Sequence, residues 1–164
     1  MSKTLDNLKE AFAGESQANR KYLAFAEKAD KEGYPQVARL FRAAAAAETV
    51  HAHNHLRAMK GVASTADNLK EAIGGETAEF MEMYPPMTDA AKAEGNKDAE
   101  RTFIFANEVE KVHAQLFKQA LETMEAKKLV DIYVCAICGN TVEGEPPDKC
   151  PVCNATKKQF KLIE

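Results

Sequence analysis

Residues 4–15 of the chain read TLDNLKEAFAGE and residues 65–76 read TADNLKEAIGGE, with nine of the twelve positions identical at an offset of 61. Glu48-Thr-Val-His51-Ala52 returns as Glu110-Lys-Val-His113-Ala114 at an offset of 62, and Glu32-Gly33 returns as Glu94-Gly95. A duplication of this period constrains the fold more than any bulk property, because each copy must bury an apolar stripe it cannot cover alone. The unit reads as a pair of helices. Two such pairs make a four-helix bundle, the natural way for them to cover one another.

The helix punctuation agrees with the repeat. Helix one is expected from about Thr4 to Lys31, stopping at Gly33-Tyr34-Pro35, and helix two from about Gln36 to Lys60, ahead of Gly61. Helix three starts near Asp67 and breaks at Pro85-Pro86. A short helical link covers Thr88 to Glu94, and helix four runs from about Lys97 to Lys128.

The stripes carry carboxylates where apolar residues belong. At helical three- and four-residue steps, Glu15 falls on the stripe of helix one, Glu48 and His51 on helix two, Glu76 and Glu79 on helix three, and Glu110 and His113 on helix four. Buried unpaired carboxylates each cost several kcal/mol even after relaxation, so five of them need cations. Glu and His at i and i+3 project from one helix face and offer two ligands to one metal region. One Glu from each of two helices, with Glu-x-x-His from each of the other two, is the two-metal carboxylate constellation of helical bundles. One imidazole per metal among hard oxygens suits iron or manganese better than zinc or copper. For any single Glu a solvated surface position is the better reading, and Glu10, Glu82 and Glu108 fall off the stripes. Four stripes and a duplicated motif together outweigh that reading. His53 also points off its stripe; His55 lies on it without a repeat partner and reads as a hydrogen-bonded core histidine.

Composition removes several function classes. A formal charge of −3 and a pI near 5.9 leave no basic footprint for nucleic acid. No apolar run reaches the roughly 18 residues of a membrane span, and the N-terminal residues show no apolar secretory segment. All four cysteines lie in two Cys-x-x-Cys pairs, which in a chain without an export signal reads as metal ligation in the cytoplasm.

Those pairs define a second domain. The expected division is residues 1–129 for the bundle and 130–164 for a small Cys₄ domain. Ile132-Tyr133-Val134 reads as a strand and Phe160-Lys-Leu162-Ile163 as another, around Cys135, Cys138, Cys150 and Cys153, with eleven residues between the pairs. So short a segment needs a structural metal. Gly139 lets backbone N–H groups turn toward the sulfurs. Zinc and a rubredoxin-type iron share this tetrahedral thiolate geometry, and spacing does not choose between them. Beside a redox-active bundle, iron is the more sensible occupant, with zinc entering in recombinant protein.

Gly14-Glu15-Ser16-Gln17-Ala18, Glu48-x-x-His51, Glu76-x-x-Glu79, Glu110-x-x-His113 and the paired Cys-x-x-Cys motifs together resemble the rubrerythrin family over essentially the whole chain. The resemblance implies a ferritin-like di-iron bundle with a rubredoxin-like tail carrying a third iron. It also implies reduction of hydrogen peroxide to water, with electrons coming from a reduced nicotinamide through a separate reductase or rubredoxin. Glu79 maps onto Ala18 in the repeat and so breaks its symmetry. The resemblance casts it as an exchangeable ligand that swaps with His51 on one iron. Tyr22 and Tyr84 are candidate hydrogen-bond donors to the carboxylates, with ordinary packing an equal alternative.

A ferritin-like ferroxidase handling iron is the competing function, and the cysteine tail counts against it. An oxygen-activating hydroxylase would need a substrate pocket that the run Ala43 to Ala47 does not advertise, and a zinc-ribbon adaptor is the non-enzymatic alternative. Fifteen residues separate His113 from Lys128, roughly 22 Å of helix. Unless the chain folds back, that distance predicts electron transfer between subunits of a head-to-tail homodimer.

Overall fold

The computed structural model describes residues 2–126 and 129–164. The chain is mainly α, with its long helices arranged as two pairs, the second followed by a small three-stranded sheet bearing the cysteines. It divides into two compact units, Met1–Ala63 and Ser64–Glu164.

In the first unit, α1 (Lys3–Lys31) packs antiparallel against α2 (Pro35–Ala58). Ser2 caps α1 by accepting from the Leu5 N–H. Its end is closed by the repeated Glu-Gly pair: Gly33 takes φ +81°, and the Tyr34 N–H reaches back to the Ala29 carbonyl at 2.9 Å. Ala38, Ala45 and Ala52, at steps of seven, are buried along α2 together with Ala26 and Ala29 of α1. These small residues, of which only Ala45 belongs to the run Ala43 to Ala47, allow close helix approach. Asn19 fixes the register by donating to the Ala45 carbonyl at 2.7 Å and to Thr49 Oγ1 at 2.9 Å.

In the second unit, α3 (Thr65–Ala78) is capped by Ser64, and α5 (Lys97–Thr123) by Asn96. Between them lie a π-helical turn, Glu79–Met83, and α4 (Tyr84–Ala93). Gly95, at φ +70°, repeats the closure of Gly33, with the Asn96 N–H on the Ala91 carbonyl at 2.9 Å. The expected break at Pro85-Pro86 is displaced. The prolines sit in the first turn of α4, and the irregularity precedes them, where the Tyr84 N–H bonds the Glu79 carbonyl. Proline has no N–H to give the carbonyl four residues back and clashes with it, so the turn ahead of the pair widens to i→i+5 bonding. Helix four ends as α-helix at Thr123 and continues as a 3₁₀ turn to Ala126; its expected end at Lys128 lies outside the described residues.

The sheet has the order β2-β1-β3, with β1 (Ile132–Cys135) central and antiparallel to both β2 (Thr141–Glu143) and β3 (Phe160–Ile163). The first and last strands lie where the sequence places them. β2 was not expected, because a three-residue strand inside a Gly- and Pro-containing loop has no alternation to reveal it. Its buried residues are mainly Cys135, Cys150 and Phe160, a core too small to hold the domain without its metal. No described helix is long and apolar enough to cross a membrane.

Candidate metal centres

Each unit brings together one triad. In the first, His51 Nδ1 lies 2.8 Å from Glu48 Oε2 and 3.8 Å from Glu15 Oε1. In the second, His113 Nδ1 lies 2.7 Å from Glu110 Oε2 and 3.7 Å from Glu76 Oε1. The duplication is therefore geometric as well as textual. The i, i+3 spacing sets the short contact, and antiparallel packing of the repeat's two helices brings in the other carboxylate. In both triads one ring nitrogen and two carboxylates come within 4.8 Å of one another, a donor set with room for one cation.

Charge crowding in the second triad also calls for a cation. Burial and the neighbouring Glu110 raise the pKa of Glu76 above the ordinary carboxylate value, against the pull of His113. Burial and Glu76 likewise raise Glu79, which stands at the start of the π turn. Tyr84 feels the same carboxylates: burial, then Glu79, Glu110 and Glu76, raise its phenol. Its ring packs on Phe103 at 6.3 Å. Tyr22 lies in an aromatic cluster with Phe25 and Phe41, at ring-centre distances of 6.3 and 6.1 Å.

The four cysteines converge as free thiols. Cys135 Sγ is 3.7 Å from Cys153 Sγ, and Cys138 Sγ is 3.5 Å from Cys150 Sγ. A tetrahedron with metal–sulfur bonds of about 2.3 Å has edges of about 3.8 Å, close to both of these separations. Two matching turns aim the backbone at them. Gly139, at φ +85°, donates its N–H to the Cys135 carbonyl at 2.8 Å, and Asn154, at φ +61°, does the same to Cys150 at 2.9 Å. Burial raises Cys138 and Cys153, outweighing the N–H groups of Asn140 and Ala155 that face them. At Cys135 burial is overcome by the N–H groups of Ile137 and Cys138, and the thiol is lowered. Four converging thiols beside aligned N–H donors fit a site built for a cation.

The chain does fold back. Thr141 Oγ1, on β2, lies 2.9 Å from His113 Nε2, and Gly139 faces Val109 of α5. The distance that motivated transfer between subunits is therefore not present, because residues beyond α5 reverse direction and lay β2 against its metal-binding turn. Sequence reasoning missed Thr141 altogether, along with Asn19 and Asn154. A lone threonine or asparagine in a loop or helix carries no spacing signal.

A model of the family described as rubrerythrin matches residues 6–121, and a model of the rubrerythrin rubredoxin-like domain matches residues 133–161. The chain belongs to the rubrerythrin family. Rubrerythrin-2 of Clostridium acetobutylicum is 38% identical across 98% of this chain and 96% of its own length. Nigerythrin of Nitratidesulfovibrio vulgaris is 37% identical across 96% of this chain and 85% of its own. Among solved structures, the fully reduced, all-ferrous state of nigerythrin aligns with a TM-score of 0.60 and 37% identity, over 99% of this chain and 88% of that one. The chain thus has the rubrerythrin family's carboxylate–histidine groups and Cys₄ cluster, both able to bind metal.

Proposed function

We propose that the chain is a non-haem di-iron peroxidase that reduces hydrogen peroxide to water. The observation that carries this reading is the conjunction, in one unit, of a carboxylate–histidine triad and a cysteine tetrad, with His113 of the triad hydrogen-bonded to Thr141, three residues beyond Cys138. The all-ferrous state described for nigerythrin supports iron over zinc or manganese, although either can take its place.

Glu15, Glu48 and His51 would hold one iron, and Glu76, Glu110 and His113 the other, with Glu79 an additional ligand that exchanges with His51. Cys135, Cys138, Cys150 and Cys153 would hold a third iron, which would supply one-electron chemistry. When bound, the iron pair supplies Lewis acidity and two electrons to the O–O bond of peroxide, which takes up two protons and leaves as two waters. The carboxylates neutralise the cations, and the histidines present Nδ1. Tyr84 keeps its phenolic proton at neutral pH, as any tyrosine does and the more so because burial and then its carboxylate neighbours raise its pKa, and it can donate a hydrogen bond toward them. Tyr22 is the weaker candidate, being placed among aromatic rings. The two functional modules are residues 1–129 and 130–164. Peroxide, an electron-donating reductase or rubredoxin, and a second copy in a homodimer are the proposed partners, in the cytoplasm.

The test combines Glu48→Ala with Glu110→Ala. Peroxide consumption driven by a reductase and reduced nicotinamide should disappear while the cysteine centre keeps its visible colour. Consumption at the parent rate would contradict the reading.

A further inference from the structure

His113 is held at both ring nitrogens. Nδ1 faces Glu110 and Glu76, and Nε2 lies 2.9 Å from Thr141 Oγ1. The Thr141 hydroxyl lies 3.1 Å from the Gly139 carbonyl and can only donate there. A hydroxyl has one hydrogen, so with it committed to Gly139 the oxygen must accept from Nε2–H. With a cation held by the two carboxylates, this arrangement makes Nε2 the protonated nitrogen and turns the Nδ1 lone pair to the cation. The Gly139 carbonyl belongs to the residue after Cys138, whose sulfur receives the Asn140 N–H. A continuous route of covalent and hydrogen bonds therefore runs from Cys138 through Gly139 and Thr141 to His113.

We infer that Thr141 is a positioning residue. It sets the metal-binding tautomer of His113 and couples the Cys₄ centre to the triad of the same chain. The inference rests on the di-iron reading and extends it. The step it serves is transfer of one electron: an iron at the cysteines goes from ferrous to ferric as an iron at the triad goes from ferric to ferrous. Thr141 exchanges no proton in that step. Partners that orient a metal-bound histidine through its other nitrogen typically change metal affinity or activity by roughly 10–100-fold when removed.

The experiment compares full-length parent, Thr141→Val and Thr141→Ser. Valine keeps the β-branch suited to β2 and removes the hydroxyl; serine restores it. The unchanged visible spectrum of the iron–cysteine centre serves as the check that β2 is still folded. With zinc as a diamagnetic probe, the parent should show an Nε2-protonated His113 whose ring N–H exchanges slowly with solvent. Thr141→Val should lose that protection and bind metal at the triad about 10-fold more weakly, and Thr141→Ser should recover both. In the iron-loaded, fully reduced protein, oxidation of the cysteine centre after peroxide is added should slow about 10-fold in Thr141→Val and return in Thr141→Ser. Full metal content with all three proteins indistinguishable would overturn the role of Thr141 alone. A parent that binds metal only at its cysteines would overturn it together with the di-iron reading.

Discussion

Glu79 is the residue without a counterpart, since Ala18 occupies its place in the other repeat. Glu79→Ala should keep metal at both triads but slow turnover, whereas Glu48→Ala or Glu110→Ala should lose metal outright. Metal analysis beside peroxide turnover checks this, and equal metal loss in all three would remove the distinction. The raised pKa values of Glu76 and Glu79 carry a second consequence. A carboxyl that is a weaker acid folded than unfolded stabilises the fold when protonated, and that contribution is lost as pH rises from the ordinary value of 4.5 through the raised folded one. Metal-free protein should therefore gain thermal stability when Glu76→Gln and Glu79→Gln are combined, and the gain should grow with pH across that window. A gain independent of pH would show that the carboxylates carry no such penalty.

At the scale of elements, the π turn decides where Tyr84 points. Pro85 and Pro86 force it, because neither can supply an N–H to the preceding turn. Replacing both by alanine should let the segment regularise to α-helix and rotate Tyr84 away from Glu79, Glu76 and Glu110. Its phenol should then ionise at lower pH in an ultraviolet titration, with Tyr84→Phe identifying the signal; an unmoved titration would contradict this. The helices themselves were legible because repeat, caps and stripes all point the same way. Gly33 and Gly95 prove to be left-handed helix ends, as does Lys60 after α2. The π turn was not legible, since proline marks a disturbance without saying whether the helix stops or widens. The triads could be read from spacing because i, i+3 geometry is local. The Thr141 contact is a tertiary accident of where β2 lands, and no periodicity announces it.

For the whole molecule, the helices have their packing, while the tail has only a small core around four cysteines able to hold a metal. Stripping metal from the four cysteines with a chelator should unfold residues 130–164 while far-ultraviolet helicity stays nearly constant. Cooperative loss of the helices at the same chelator concentration would contradict that independence. The fold-back of the tail onto α5 brings thiolate and imidazole chemistry together in one chain, which is what a peroxidase fed by single electrons requires. Peroxide is the proposed oxidant. The most direct measurement mixes the fully reduced, iron-loaded protein separately with hydrogen peroxide and with dioxygen and follows oxidation of the iron centres by stopped-flow absorbance. Oxidation by peroxide should be much the faster; dioxygen reacting much faster than peroxide would contradict the account.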